Sequence, residues 1–76
     1  MKDLIEYIAK ALVDAPDDVD VEEFGDDEAS IIKLKVSKDD LGKVIGKKGR
    51  TAKAMRTILS AAAMKMQKRS TLEIIE

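Results

Sequence analysis

The chain of 76 residues contains no cysteine, no histidine and no tryptophan, and only one proline, one tyrosine and one phenylalanine. Without cysteine there is no disulfide framework, and without histidine as well the usual zinc ligand sets are gone. The core must therefore hold by packing alone or by pairing with another chain. The lack of histidine also removes the one side chain that titrates near neutral pH without strong perturbation, so Thr57 and Ser60 have no imidazole to activate them. No enzyme activity, metal or cofactor is expected. No apolar run approaches membrane-spanning length, and the first twelve residues carry Asp3 and Glu6 in place of a long apolar core. Neither a signal peptide nor a membrane partner is expected, and the chain reads as cytoplasmic.

What is abundant is charge, and it is divided unevenly. Residues 1 to 30 hold 2 Lys against 11 Asp or Glu, a balance of −9, whereas residues 31 to 76 hold 12 Lys or Arg against 4 acidic residues, a balance of +8. Between Lys43 and Arg69 there are 9 basic residues and no acidic one. Such a run has the form of an electrostatic footprint for a polyanion, and the acidic segment from Asp14 to Glu28 reads as solvated turn and strand edge.

Periodicity divides the chain into six elements. Apolar residues Leu4, Ile5, Ile8 and Leu12 predict a helix from Asp3 to about Ala15, with Asp3 and Glu6 as a capping pair and Pro16 as its stop. Val19 to Phe24 predicts a strand whose alternation slips near Glu22 and Glu23, suggesting an irregularity there. After a polar turn at Gly25 to Glu28, Ile32, Leu34 and Val36 alternate with Lys33, Lys35 and Ser37 in a second strand, expected to pair antiparallel with the first. Ser37 or Asp39 caps a short helix containing Leu41, Val44 and Ile45. A long helix follows from about Arg50 to Lys68, with a main apolar stripe of Ala52, Met55, Leu59, Ala62 and Met66 and a second line of Ala54, Ile58 and Ala61. Met55 and Met66 read as core gap-fillers. Ser70 to Ile75 predicts a last strand. The order describes one α+β domain over residues 1–76, with helices on one face of a three-stranded sheet.

One stretch looks like chemistry. Gly46 and Gly49 bracket Lys47 and Lys48, so two positions without a Cβ flank two cations, and the backbone can approach a phosphate chain closely. Arg50, Thr51 and Ala52 open the long helix directly afterwards, which places unpaired N–H groups and a positive helix end beside the same lysines.

That element order, with VIGKKGRTAKAMR between two adjacent helices, resembles the KH domain of type II topology. Over nearly the whole chain it resembles the small bacterial single-KH RNA-binding proteins of the KhpA type. The resemblance implies a non-catalytic module that clamps a short single strand of RNA. Gly46, Lys47, Lys48 and Gly49 would hold the sugar-phosphate chain, Ile45 would form an apolar floor under the bases, and Arg50 and Lys53 would add cations. Residues within Ile31 to Val36 would face the bases from the sheet side. The resemblance further implies a post-transcriptional regulator or RNA chaperone, working as a homodimer or paired with a larger KH protein of the Jag type. Ile58 and Ala61, with Ala62 or Met64, are the candidate pairing surface.

Two other readings of the residues stay open. Two helices joined by a tight glycine-containing turn, the second basic, also describe a helix-turn-helix DNA binder, although Gln67 is the only Asn or Gln available to read base edges. The same surface suits a protein-interaction module whose lysines merely solubilise the helix. A nucleotide-binding P-loop is not spelled out, because its second glycine would fall on Lys47 and no Gly-Lys-Ser/Thr follows.

Overall fold

The computed structural model describes residues 1–76. Helix α1 spans Lys2–Leu12, strand β1 Asp20–Gly25, strand β2 Ala29–Lys35, helix α2 Leu41–Ile45, helix α3 Arg50–Lys65 and strand β3 Arg69–Ile74. Single 3-10 turns occupy Pro16–Asp18, Lys38–Asp40 and Lys47–Gly49. The predicted order of α+β elements is the observed one, and no helix is long and apolar enough to cross a membrane.

The three strands form one sheet in the order β1-β2-β3. β1 and β2 pair antiparallel, as expected for a hairpin, whereas β3 returns to lie parallel to β2. β2 is thus the central strand, and its alternation records two different faces. Ser30, Ile32 and Leu34 are buried beneath the helices, while Ile31, Lys33 and Lys35 are exposed on the opposite face. Helices α1 and α3 close the buried face, with Ile5, Val44, Met55, Leu59 and Leu72 joining Ile32 and Leu34 in the core.

The structure corrects the expected boundaries in ways that have local causes. β1 carries no irregularity: its pairing with β2 is continuous from Asp20 opposite Lys35 to Gly25 opposite Ser30. The sequence reads as slipped there because Glu23, opposite the buried Ile32, takes a helix-side position and accepts the N–H of Lys2 at 3.1 Å. Glu23 therefore does the capping predicted for Asp3 and Glu6, since α1 begins at Lys2 and no cap side chain bonds to its first turn.

Helix α3 stops at Lys65 instead of Lys68. Gln67 adopts the left-handed conformation (φ 57°), its N–H bonds to the Met64 carbonyl, and the N–H of Lys68 reaches back to the Ala63 carbonyl at 2.8 Å. This paired closure satisfies the last carbonyls of the helix. The closure leaves Met66 54 % exposed instead of filling the core, and the inward stripe is Ala52, Met55, Leu59 and Ala63, with Ala62 only half-buried.

Candidate functional site

The glycine-bracketed loop is a turn with unusual backbone demands. Gly46 has φ 78° and Gly49 φ 73°, and Lys48 between them is also left-handed at φ 58°. A side chain at Gly46 has no room either, because a Cβ there would stand 2.8 Å from the Thr51 backbone nitrogen and closer still to the Thr51 side chain. The Gly46 N–H closes α2 on the Gly42 carbonyl at 2.8 Å, and the Gly49 N–H bonds to the Gly46 carbonyl at 3.1 Å. Sequence and space thus fix a tight joint between α2 and α3. Lys48 is the exception, a β-carbon-bearing residue in a conformation that costs about 1–2 kcal/mol, which is the kind of strain that clusters at functional loops.

The joint brings most of the predicted residues together. Lys47, Lys48 and Arg50 are exposed on it, Lys53 is exposed one turn further along α3, and none of the four forms an ion pair. Their charges face solvent uncompensated. Val44 is fully buried and anchors α2, leaving Ile45 half-buried at its end as an apolar surface beside the loop. Gly49 is the residue before α3, and no side chain caps that helix. The Arg50 N–H bonds to the Lys47 carbonyl, so the positive end of a sixteen-residue helix is joined directly to the loop that carries the same cations.

Lys43 behaves differently from the rest of the basic run. Its ammonium donates to Asp14 at 2.6 Å and to Asp40 at 3.2 Å. Asp40 is buried, 2 % exposed, and also accepts the backbone N–H groups of Asp14 and Ala15 at 3.1 and 3.0 Å. This knot ties the turn after α1 to the start of α2 and so holds the base of the loop. Its role escaped the reading of the carboxylates as solvated turns and edges; the one available signal was a lysine three residues after an aspartate.

Residues 31 to 36, expected to face the bases from the sheet side, do not line an open sheet edge. Residues 31 to 36 lie in and just beyond the central strand, with Ile32, Leu34 and Val36 in the core and Ile31, Lys33 and Lys35 on the far face. The open sheet edge that packs beside α3 belongs to β3. Arg56 marks that junction: its Nε–H donates to the Leu72 carbonyl at 3.3 Å, bridging helix and strand. Sequence reasoning had left Arg56 as one cation among nine.

Helix α3 has two usable flanks. Ile58, 47 % exposed, lies two residues from Arg56 and so about 200° around the helix from it. Ile58 shares a flank with Thr51, seven residues before it, which contacts the loop at Gly46. Ala54 and Ala61 are exposed next to Ile58 and Ala62 is half-buried, whereas Met64, 72 % exposed, lies with Lys53 and Arg56 around a shallow depression on the other side.

Comparison with known proteins agrees with this architecture. Residues 2–74 match the family model described as KhpA/KhpB, KH domain. An RNA-binding protein KhpA of Clostridium perfringens is 57 % identical over 99 % of this chain and 100 % of its own length. The protein of that name from Halalkalibacterium halodurans is 57 % identical over the full length of both chains. That of Aquifex aeolicus is 50 % identical over 100 % of this chain and 96 % of its own. No solved structure gives a significant match.

Proposed function

We propose, from the premise that this chain belongs to the KhpA/KhpB family of KH domains, that it is a non-catalytic RNA-binding module which clamps short single strands with its GKKG loop. The observation that carries the reading is the loop itself: two glycines at positive φ, unpaired Lys47, Lys48, Arg50 and Lys53, and a helix start with no side-chain cap, at the head of the helix that packs on the edge strand β3. Phosphates would sit against the loop, and bases would lie over Ile45 between α3 and β3. Phosphate contacts position a strand without reading it, so a single module binds weakly and with low sequence preference.

Pairing offsets that weakness, because a second linked site binds at high effective concentration. In this reading two modules meet along the exposed line of Ala54, Ile58 and Ala61, with Ala62 at its margin. Small residues there let two helices approach closely. The partner is a second copy or a larger KH protein of the Jag type, and the working complex is a cytoplasmic post-transcriptional regulator or RNA chaperone.

The test is binding of a short mixed-sequence single-stranded RNA and of a matched duplex DNA across a salt series. It compares the parent with a Lys47→Asp, Lys48→Asp variant shown by circular dichroism to be folded. The parent should prefer the single strand, and the variant should lose affinity and show a shallower salt dependence. Equal binding by the two proteins, or binding of the duplex alone, would overturn the clamp.

A further inference from the structure

Strand β1 forms one margin of the sheet, and only one of its two edges is paired. Two backbone bonds fix which of its groups face which way. The Asp26 N–H bonds to the Ala29 carbonyl, which therefore faces the β1 side, and the Ile75 N–H bonds to the Leu34 carbonyl, which faces the β3 side. Direction alternates along a strand, so Ile31, Lys33 and Lys35 turn their backbone groups to β1. Their partners Phe24, Glu22 and Asp20 answer them, and the N–H and carbonyl groups of Val21, Glu23 and Gly25 point away from the sheet. Glu23 and Gly25 are exposed, and no turn, cap or side chain bonds to their main chain.

Edge strands are commonly blunted by lysine, proline, a bulge or an overlying element. β1 has none of these: DVEEFG contains no lysine or proline, its pairing is continuous, and α1 packs on its face. What it carries is acid. Asp20 and Glu22 are exposed on the face turned from the helices, Asp26, Asp27 and Glu28 follow in the turn, and none of the five forms an ion pair. Lys33, opposite Glu22, reaches Glu73 instead at 3.9 Å. Between the two acidic groups stands Phe24, 48 % exposed beside the exposed Ile31.

These features select the occupant. A second copy of β1 would lay acid against acid, which cross-strand pairing penalises. We propose that β1 accepts, by strand addition, an extended segment of a different protein in which basic residues flank an apolar one. Glu23 and Gly25 supply the backbone hydrogen bonds, Phe24 the apolar contact, and Glu22 with the turn carboxylates the charge. The surface lies two strand spacings, about 10 Å, from the β3 edge, so it stands apart from the proposed clamp.

The probe is a capped, fluorescent peptide, Thr-Lys-Thr-Val-Thr-Lys-Thr, whose lysines and valine share one face when extended. Anisotropy with the full chain should show binding, and amide exchange should slow chiefly at Glu23 and Gly25. Two N-methylated forms separate strand addition from charge attraction alone, one methylated on the threonine nitrogens and one on the lysine and valine nitrogens. Alternate N–H groups of an added strand face opposite ways, so one form should lose binding and the other keep it. Glu22→Lys should weaken binding about tenfold, since it turns an attraction into a repulsion, and Phe24→Thr about threefold. On the unaltered protein, a peptide with glutamate in place of lysine should not bind. No binding of the lysine peptide, equal behaviour of the two methylated forms, or equal binding of the lysine and glutamate peptides overturns the inference.

Discussion

The carboxylate of Asp40 accepts the backbone N–H of Ala15 at 3.0 Å, across twenty-five residues of chain. Together with its bonds to the Asp14 N–H and to Lys43, this fastens the α1 turn to the helix that carries the loop. A carboxylate so placed is a structural part, and its protonation state is a measure of whether the part is in use.

The acid limb of stability should report it. The Asp14 N–H first, then the Ala15 N–H and the Lys43 ammonium, hold the Asp40 carboxyl below its usual range against the upward pull of burial. A lowered carboxyl stabilises fully above the ordinary aspartate value, about 3.9, and that stabilisation drains as pH falls through the folded value. Lys43 is raised, first by its bond to Asp14 and then by that to Asp40, so its contribution is complete below about 10.4 and is lost as pH rises further. Asp40→Asn should be less stable than the parent at neutral pH, with the gap narrowing below about pH 4 as the parent protonates. A gap in urea midpoint that stays constant down to pH 2 would sink this account.

The two loop glycines should respond unequally to alanine. At Gly49 a Cβ meets nothing within 4 Å, so Gly49→Ala bears only the left-handed backbone, about 1–2 kcal/mol. Gly46, at φ 78° and ψ 171°, holds a conformation that is essentially glycine's alone, and Gly46→Ala also drives a methyl into Thr51. Denaturant unfolding should rank Gly46→Ala as the more damaging by at least about 1 kcal/mol, a typical overpacking cost. Equal losses would mean that Thr51 gives way freely.

Gln67 invites the opposite change. It holds the left-handed closing position of α3, which glycine occupies without a Cβ penalty. Gln67→Gly should stabilise by about 0.5–1 kcal/mol, the backbone gain less the added freedom of the unfolded chain. In a domain of this size that is a rise of roughly 2–8 °C in thermal midpoint. No rise would show that the glutamine is already relaxed there.

For the proposed pairing surface, analytical ultracentrifugation of the parent and of Ile58→Asp is decisive. A half-exposed apolar side chain replaced by a charge costs a lone molecule little, yet places two like charges at a symmetric contact. The parent should sediment as a dimer at micromolar concentration and the variant as a monomer. Two identical profiles would move the contact away from this flank.

Much of this was legible beforehand because periodicity records which way a side chain points. Ile32, Leu34 and Val36 announced a one-sided strand, and Gly46 to Gly49 announced a joint that only glycine could make. What escaped depended on where distant segments return. Glu23 looked like a fault in a strand because its partner, the Lys2 N–H, comes from another element. Met66 left the stripe because Gln67 ends the helix early, and a glutamine gives no outward sign of a left-handed turn; Ala63, four residues beyond Leu59, lies nearer the centre of the buried face than Ala62. That β3 is the sheet edge beside α3, with 31–36 in the central strand, was hidden because nothing in the local pattern says that β3 runs parallel to β2 and takes the outer position.

That parallel return links the site to the order of folding. The hydroxyls of Ser30 and Ser70 are 2.9 Å apart although forty residues separate them in the chain. The loop and the two helices that flank it lie inside the segment this contact encloses. A molecule with β3 frayed would keep its joint and its cations but, on the proposed clamp, would lose the edge against which a strand is held. Such long-range pairing is also the slow part of assembling a small domain. On the proposed clamp, strand binding and docking of β3 therefore draw on the same free energy, and a bound strand should slow amide exchange across β3 as effectively as around the loop.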